Sequence, residues 1–155
     1  MSDHKALLMV DVQKDFCPGG ALAVAEGDQV IPVLNQYTAV FQEKKWPIFA
    51  SRDWHPKKTG HFKDYGGPWP EHCVQNTPGS EFHPQLRLPA ETIILSKGMD
   101  PAADSYSAFH GVDQQKHSFL NILQQHQIRD LYIGGLATDY CVKSSVLDAL
   151  NFGFT

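Results

Sequence analysis

Three side chains able to carry acid–base chemistry stand at the ends of short apolar runs. Asp11 follows Ala6–Val10, Asp53 follows Pro47–Ala50 across Ser51-Arg52, and Lys97 follows Thr92–Leu95 across Ser96. Cys141 lies a few residues beyond a fourth run, Leu131–Ile133. A thiol attacks a carbonyl carbon once a base takes its proton. A carboxylate can take that proton and later deliver it to a leaving group, while a lysine holds the carboxylate in place. No pattern places a histidine as the base, so Cys141, Asp11 and Lys97 make the economical catalytic set. Taken singly, each has a plainer reading: Asp11 as a helix cap, Lys97 as a solvated surface residue, Cys141 as a small buried hydrophobe. If Thr138 caps the helix after the fourth run, Cys141 falls in its first turn. Unpaired amides and the positive dipole end there would lower the thiol pKa from about 8.5. Gly134, Gly135 and the small Ala137 leave room for backbone N–H groups to hold a developing oxyanion.

A second constellation is Asp53-Trp54-His55, followed by His61 and His72. In an extended segment residues i and i+2 share a face, so Asp53 and His55 can grip one ion, and His61 and His72 could complete its shell. One carboxylate with imidazoles suits zinc, and also iron or manganese. The spacing is not that of a zinc finger. His83, His110, His117 and His126 lack such partners. Phe16, Trp69 and Tyr106 are either core aromatics or the walls of a slot for a flat ring.

The elements that must position these groups alternate. The four apolar runs suit strands buried on both faces in a parallel sheet. Between them, Val30, Val33, Leu34, Tyr37, Val40 and Phe41 recur at helical spacing up to Lys44-Lys45. Phe119, Leu120, Ile122 and Leu123 recur behind an Asp113 cap, and Val142, Val146, Leu147 and Leu150 recur between Thr138-Asp139 and Gly153. Strands alternating with helices predict right-handed crossovers and a three-layer α/β/α fold with a mainly parallel central sheet. Ligands of such sheets bind beyond the carboxyl ends of the strands, where all four chemical side chains fall. Residues 54–91 are the exception. These 38 positions show little periodicity yet hold six of the ten prolines and four of the eight histidines. So long a connection is uncommon unless it has a task, and its aromatics favour an ordered metal- and substrate-binding loop.

Composition sets the outer bounds. With 155 residues the chain is one domain's worth, able to bury about 70% of its unfolded surface. Hydrophobic residues at 42% against 19% charged describe a globular chain rather than a disordered one. A net charge of -4 without a basic cluster argues against nucleic acid as a partner. Apolar runs as short as Ala6–Val10 argue against a membrane span or signal peptide. Three cysteines, Cys17, Cys73 and Cys141, make no secreted disulfide framework and point to a reducing, cytoplasmic setting.

Read in order, the motifs carry a resemblance. Asp11-Val12-Gln13-Lys14-Asp15-Phe16-Cys17-Pro18-Gly19-Gly20, Arg52-Asp53-Trp54-His55-Pro56, Trp69-Pro70-Glu71-His72-Cys73-Val74, Ser96-Lys97-Gly98 and Gly135-Leu136-Ala137-Thr138-Asp139-Tyr140-Cys141-Val142 resemble the bacterial nicotinamidases among the isochorismatase-like cysteine hydrolases. Each motif is weak alone; jointly they are specific and span nearly the whole chain. The resemblance implies hydrolysis of nicotinamide to nicotinate and ammonia in NAD salvage, through a thioester, with pyrazinamide-like amides also accepted. It makes Cys141 the nucleophile, Asp11 the proton carrier and Lys97 its charged partner. Asp53, His55 and His72 become metal ligands, with His61 a ligand or a neighbour of the ligands. The metal, most often zinc, would meet the pyridine nitrogen, and Phe16, Trp69 and Tyr106 would surround the ring. It further implies a cis Leu136–Ala137 peptide, with the amides of Ala137 and Cys141 as the oxyanion hole. Relatives continue through further strands and a helix, so residues 1–155 read as one C-terminally incomplete domain, and an exposed sheet edge suggests a homo-oligomer or strand-exchanged assembly. The alternatives are another hydrolase of the same fold, without the metal set, or an inactive metal-binding fragment.

Overall fold

A computed structural model describes residues 3–103 and 105–155. Its centre is β1 (Lys5–Val10), flanked in a four-stranded sheet by β2 (Ile48–Asp53) and β4 (Asp130–Gly135), with β3 (Ile93–Lys97) beyond β2. All three pairings are parallel, as the doubly apolar runs predicted. Successive side chains of a strand point to opposite faces, and β1 follows this. Ala6, Leu8 and Val10 pack with Phe49, Leu95, Phe119 and Leu123 under α2 (Phe119–Gln125) and α3 (Lys143–Asn151). Leu7 and Met9 pack with Ile48, Ala50, Ile31, Leu34 and Phe41 under α1 (Val30–Lys44). Helices thus cover both faces, giving the expected three-layer α/β/α architecture. No helix among the described residues is long and apolar enough to cross a membrane.

Strand ends and helix faces differ from the sequence reading in instructive ways. β2 does not stop at Ala50 but runs on through Ser51 and Arg52, so that Asp53 is its last residue and pairs with Lys97 at the end of β3. Polar residues at a strand's carboxyl end interrupt the apolar run without interrupting the ladder. The buried face of α1 is Ile31, Leu34, Thr38 and Phe41, while Val33, Tyr37 and Val40 are exposed. In α3 the small Ser145 and Ala149 face inward, and Val146, Leu147 and Leu150 are exposed. Apolar periodicity found Leu34 and Phe41 of the buried face of α1 but missed Ile31 and Thr38, and in α3 it followed the exposed side, because the close-packed face there is made of small residues. The cap of α2 is Ser118, whose hydroxyl accepts from the Asn121 N–H, rather than Asp113. Asp113 instead accepts from the N–H groups of Gln115 and His117 and closes its own turn. Thr155 lies beside the start of β4, with its carbonyl accepting from the Leu131 N–H.

Residues 54–91 form an ordered segment. Bridges join His55 to Val74 and Phe62 to Trp69, and Gln13 to Phe82 ties the segment to the turn after β1. Phe62 and Cys73 are buried within it, and all three cysteines are free thiols.

Candidate active site

The carboxyl ends of β1, β2 and β3 bring Asp11, Asp53 and Lys97 together. Asp11 is the first residue past β1 and adopts a left-handed conformation, φ 50°, which aspartate tolerates better than most residues. Lys97 is 1% exposed, yet its ammonium is fully occupied. Nζ lies 2.8 Å from Asp11 Oδ2, 2.5 Å from Asp53 Oδ1, 3.1 Å from the Ser105 carbonyl and 3.5 Å from Cys141 Sγ. The lysine therefore serves two acids, where the sequence reading gave it one. Asp11 Oδ1 accepts from the Ser51 hydroxyl at 2.7 Å. Oδ2 is paired with the Lys97 ammonium and accepts no other hydrogen bond among the described residues. Oxygens of Asp11 and Asp53 and the sulfur of Cys141 all lie within 4.8 Å of one another.

Burial and charge decide the protonation of this cluster. Burial raises the Asp11 carboxyl above the ordinary carboxylate range, with Lys97 opposing. Burial would also raise Asp53, but Lys97 and the hydrogen bonds of His55 and His72 outweigh it and hold Asp53 well below. For Lys97, burial acts downward and the two carboxylates, Asp11 first, overcome it, holding the ammonium well above its usual value. Burial pushes the Cys141 thiol up, with Lys97 opposing and Asp11 and Asp53 adding to the rise. The expected low-pKa thiol is thus corrected. Burial of the sulfur, with two acids adding to it, favours the protonated form more than the helix end favours a thiolate.

The turn carrying Cys141 also differs from expectation. Thr138 is not a cap; residues Thr138–Val142 form one wide π-helical turn that leads into α3, entered from an extended Ala137. The carbonyl of Ala137 accepts from the N–H groups of both Tyr140 and Val142. Ser145, fully buried, donates to the Cys141 carbonyl at 2.7 Å and accepts from the Ala108 N–H at 2.9 Å. The Leu136–Ala137 peptide is cis, and the Ala137 N–H has no acceptor among the described residues. Gly135 is required for another reason than the one inferred: at φ 137°, a Cβ there would fall 2.1 Å from the Val10 carbonyl oxygen, inside the β1–β4 ladder.

Beside this cluster, Asp53, His55 and His72 turn one ligand atom each toward a common point. Asp53 Oδ2 lies 3.5 Å from His55 Nε2 and 3.8 Å from His72 Nε2. Atoms each about 2.1 Å from one ion at tetrahedral angles sit roughly 3.4 Å apart, so the three could share an ion. Each ring is held through its other nitrogen, His55 Nδ1 to the Gly98 carbonyl at 2.8 Å and His72 Nδ1 to the Pro70 carbonyl at 2.7 Å. Such bonds fix the tautomer that presents Nε2 to a metal. A Cβ at Gly98 (φ 71°) would strike the His55 ring, so glycine is needed there. His61 stacks 4.9 Å from the His55 ring and places Nε2 3.3 Å from the Asp100 carbonyl, outside the close triplet. Gln13, unremarked in the sequence reading, clamps this corner. Its amide donates to the carbonyls of Asp53 and Ser80 and accepts from the Asp53 N–H, each within 2.9 Å.

A pocket of about 220 Å³ opens onto both clusters. Asp53, His55, His61, His72, Ala137 and Cys141 line its polar side, and Phe16, Leu22, Val24, Trp69, Tyr106 and Tyr140 line its apolar side. Trp69 Nε1 donates to the Tyr106 hydroxyl at 3.0 Å, and Tyr140 packs edge-on against Trp69 at 5.1 Å. Leu22, Val24 and Tyr140 were missed because nothing in their spacing distinguishes them. Their role follows only from where the loops fold.

The chain is similar to several known proteins. The nicotinamidase of Escherichia coli (strain K12) is 44% identical over 97% of this chain and 78% of its own length. The nicotinamidase/pyrazinamidase of Mycobacterium tuberculosis is 39% identical over 96% of this chain and 80% of its own. Among solved structures, the pyrazinamidase of Pyrococcus horikoshii in complex with zinc superposes with a TM-score of 0.89 at 47% identity, covering 97% of this chain and 80% of that one. Residues 5–155 match the isochorismatase domain model, and the chain belongs to the isochorismatase domain family.

Proposed function

We propose that the chain is a nicotinamidase, hydrolysing nicotinamide to nicotinate and ammonia as a step of NAD salvage in the cytoplasm, and accepting pyrazinamide-like aromatic amides. The observation that carries the reading is a thiol that lines a ring-sized pocket, backed by a buried carboxylate and ammonium and set beside a three-residue cluster able to hold a metal. The ring would lie among Phe16, Trp69 and Tyr106, with the carboxamide toward Cys141. Asp53, His55 and His72, with His61 close by, would hold one divalent ion, zinc by the chemistry of the donors. When bound, that ion supplies a Lewis-acid anchor for the ring nitrogen.

The chain's own residues account for the rest. Asp11 takes the thiol proton as Cys141 Sγ bonds to the amide carbon, and Lys97 keeps the carboxylate oriented and balances its charge. The N–H groups of Ala137 and Cys141 hold the oxyanion. Asp11 then gives its proton to the departing nitrogen, the C–N bond breaks, and ammonia leaves behind a thioester. Water attacks the thioester as Asp11 takes a proton from it. The C–S bond breaks, the proton returns to sulfur, and nicotinate is released. A thiol protonated at rest suits this sequence, since a stable thiolate would need no base.

The test is ammonia release from nicotinamide by the purified chain, with metal content measured on the same sample. Turnover that disappears in Cys141→Ala supports the reading; a fully metal-loaded, folded chain without turnover refutes it.

A further inference from the structure

A second cavity, of about 210 Å³, shares no lining residue with the first. It is built one residue earlier on the same two strands. Asp53 pairs with Lys97 toward the active site, and Arg52 pairs with Ser96, so their side chains leave the sheet on the opposite face. Arg52 is half-buried. Its guanidinium lies 3.7 Å from the centre of the Trp54 ring, and its Nε donates to Ser96 Oγ at 2.9 Å. Among the described residues no carboxylate pairs with it. An arginine carries five N–H donors in a planar fork, and one is used here. The terminal N–H groups have no protein acceptor among the described residues, on a group whose stem and one face are fixed by the tryptophan and the serine.

Lys116 and Gln114 stand on the rim of the same cavity. Asp113 also lines it, yet its carboxylate is engaged: Oδ1 accepts from the N–H groups of Gln115 and His117, and Oδ2 lies 3.0 Å from His117 Nδ1. The cavity therefore offers a fixed cation without an ion-pair partner among the described residues, a second cation at its mouth, and hydroxyl and amide donors, in a volume fit for a small molecule; the one carboxylate in its lining, Asp113, is turned to its own loop.

We propose that this cavity binds a small oxyanion, a phosphate or a small carboxylate, gripped by the free N–H groups of Arg52 with Lys116 closing over it. Charge-assisted, bidentate bonds to guanidinium are among the strong polar contacts, and planar recognition of either anion class suits arginine over lysine. An anion seated there would lie one residue along β2 and β3 from Asp53 and Lys97.

The experiment uses the whole chain. Its three Trp indole N–H resonances are followed by NMR, the Trp54 signal assigned with Trp54→Phe. Inorganic phosphate, and separately acetate, are titrated at constant ionic strength held with chloride. A saturable shift of the Trp54 signal is expected, weakened about tenfold or more in Arg52→Met and several-fold in Lys116→Ala. Response to phosphate alone identifies a tetrahedral ligand, to acetate alone a carboxylate, and to both a general oxyanion pocket; each supports the site. Absence of a saturable shift with either anion overturns it, as does a shift unchanged in a folded Arg52→Met. Should Arg52→Met fail to fold, Lys116→Ala and the wild-type titration still decide.

Discussion

Lys97→Met is the most informative perturbation of this fold. The methionine fills much the same volume, so the change is electrostatic: Asp11 and Asp53, 0% and 6% exposed, lose the one ammonium they share. Stranding a buried charge by removing its partner costs about 3–5 kcal/mol. At roughly 2–4 °C per kcal/mol for a domain of this size, the melting temperature should fall by about 6–20 °C. The sign of the pH dependence follows from the two acids. In the wild type Asp53 is held well below the ordinary carboxyl range, so it adds stability above the unfolded carboxyl pKa and loses it as pH falls. Without the ammonium both carboxyls move upward, so the variant's deficit is largest near neutrality and shrinks on acidification. Adding Asp11→Asn to Lys97→Met should recover part of the loss, because one stranded charge is gone. Calorimetry across pH with a chelator present reads all of this. A melting temperature within about 2 °C of wild type, with an unchanged pH profile, would refute the shared-lysine reasoning.

Other expectations follow from the same geometry. Because burial holds Asp11 above the ordinary carboxyl range, kcat/KM for nicotinamide should fall on acidification with a midpoint above about pH 4, and Asp11→Asn should lose at least about 100-fold; a rate flat to lower pH contradicts a carboxylate base. His72→Ala should lose bound metal, read by elemental analysis, and raise KM more than it lowers kcat, since the ring binds the substrate anchor and not the reacting bond. Gly98→Ala should weaken metal binding while leaving the sheet intact by circular dichroism, because its Cβ would fall 2.6 Å from the His55 ring. Ser145→Ala should lower kcat about tenfold with little change in KM, since it frees the Cys141 carbonyl and leaves a buried amide of Ala108 unpaired.

The sheet was legible because its strands are apolar on both faces, and the candidates Asp11, Asp53 and Lys97 because each stands close after such a run. What spacing could not reveal was which groups meet. Nothing in the sequence ties Lys97 to Asp53 as well as Asp11; that follows from the register of β2 against β3. Ser145 and Ala149 were passed over because small residues leave no trace in a hydrophobic pattern, although they are what allows α3 to approach the core. The thiol was misjudged for a related reason. A helix end can be inferred from nearby residues, whereas the burial of the sulfur, and the two carboxylates that add to it from 88 and 130 positions earlier in the chain, depend on the fold. Gln13 and the backbone anchors of His55 and His72 belong to loop geometry and have no sequence signature.

The central position of β1 has a consequence for how the molecule opens. Leu7 to Val10 are at most 2% exposed and paired on both sides, so their amides should exchange with solvent only when the whole domain unfolds. The segment bearing His61 and His72 is held by isolated bridges and turns rather than by a continuous ladder, so its amides should exchange sooner. A molecule trapped in the pocket can therefore escape on the loop's clock, while the acid at the tip of the innermost strand stays in register for the next turnover.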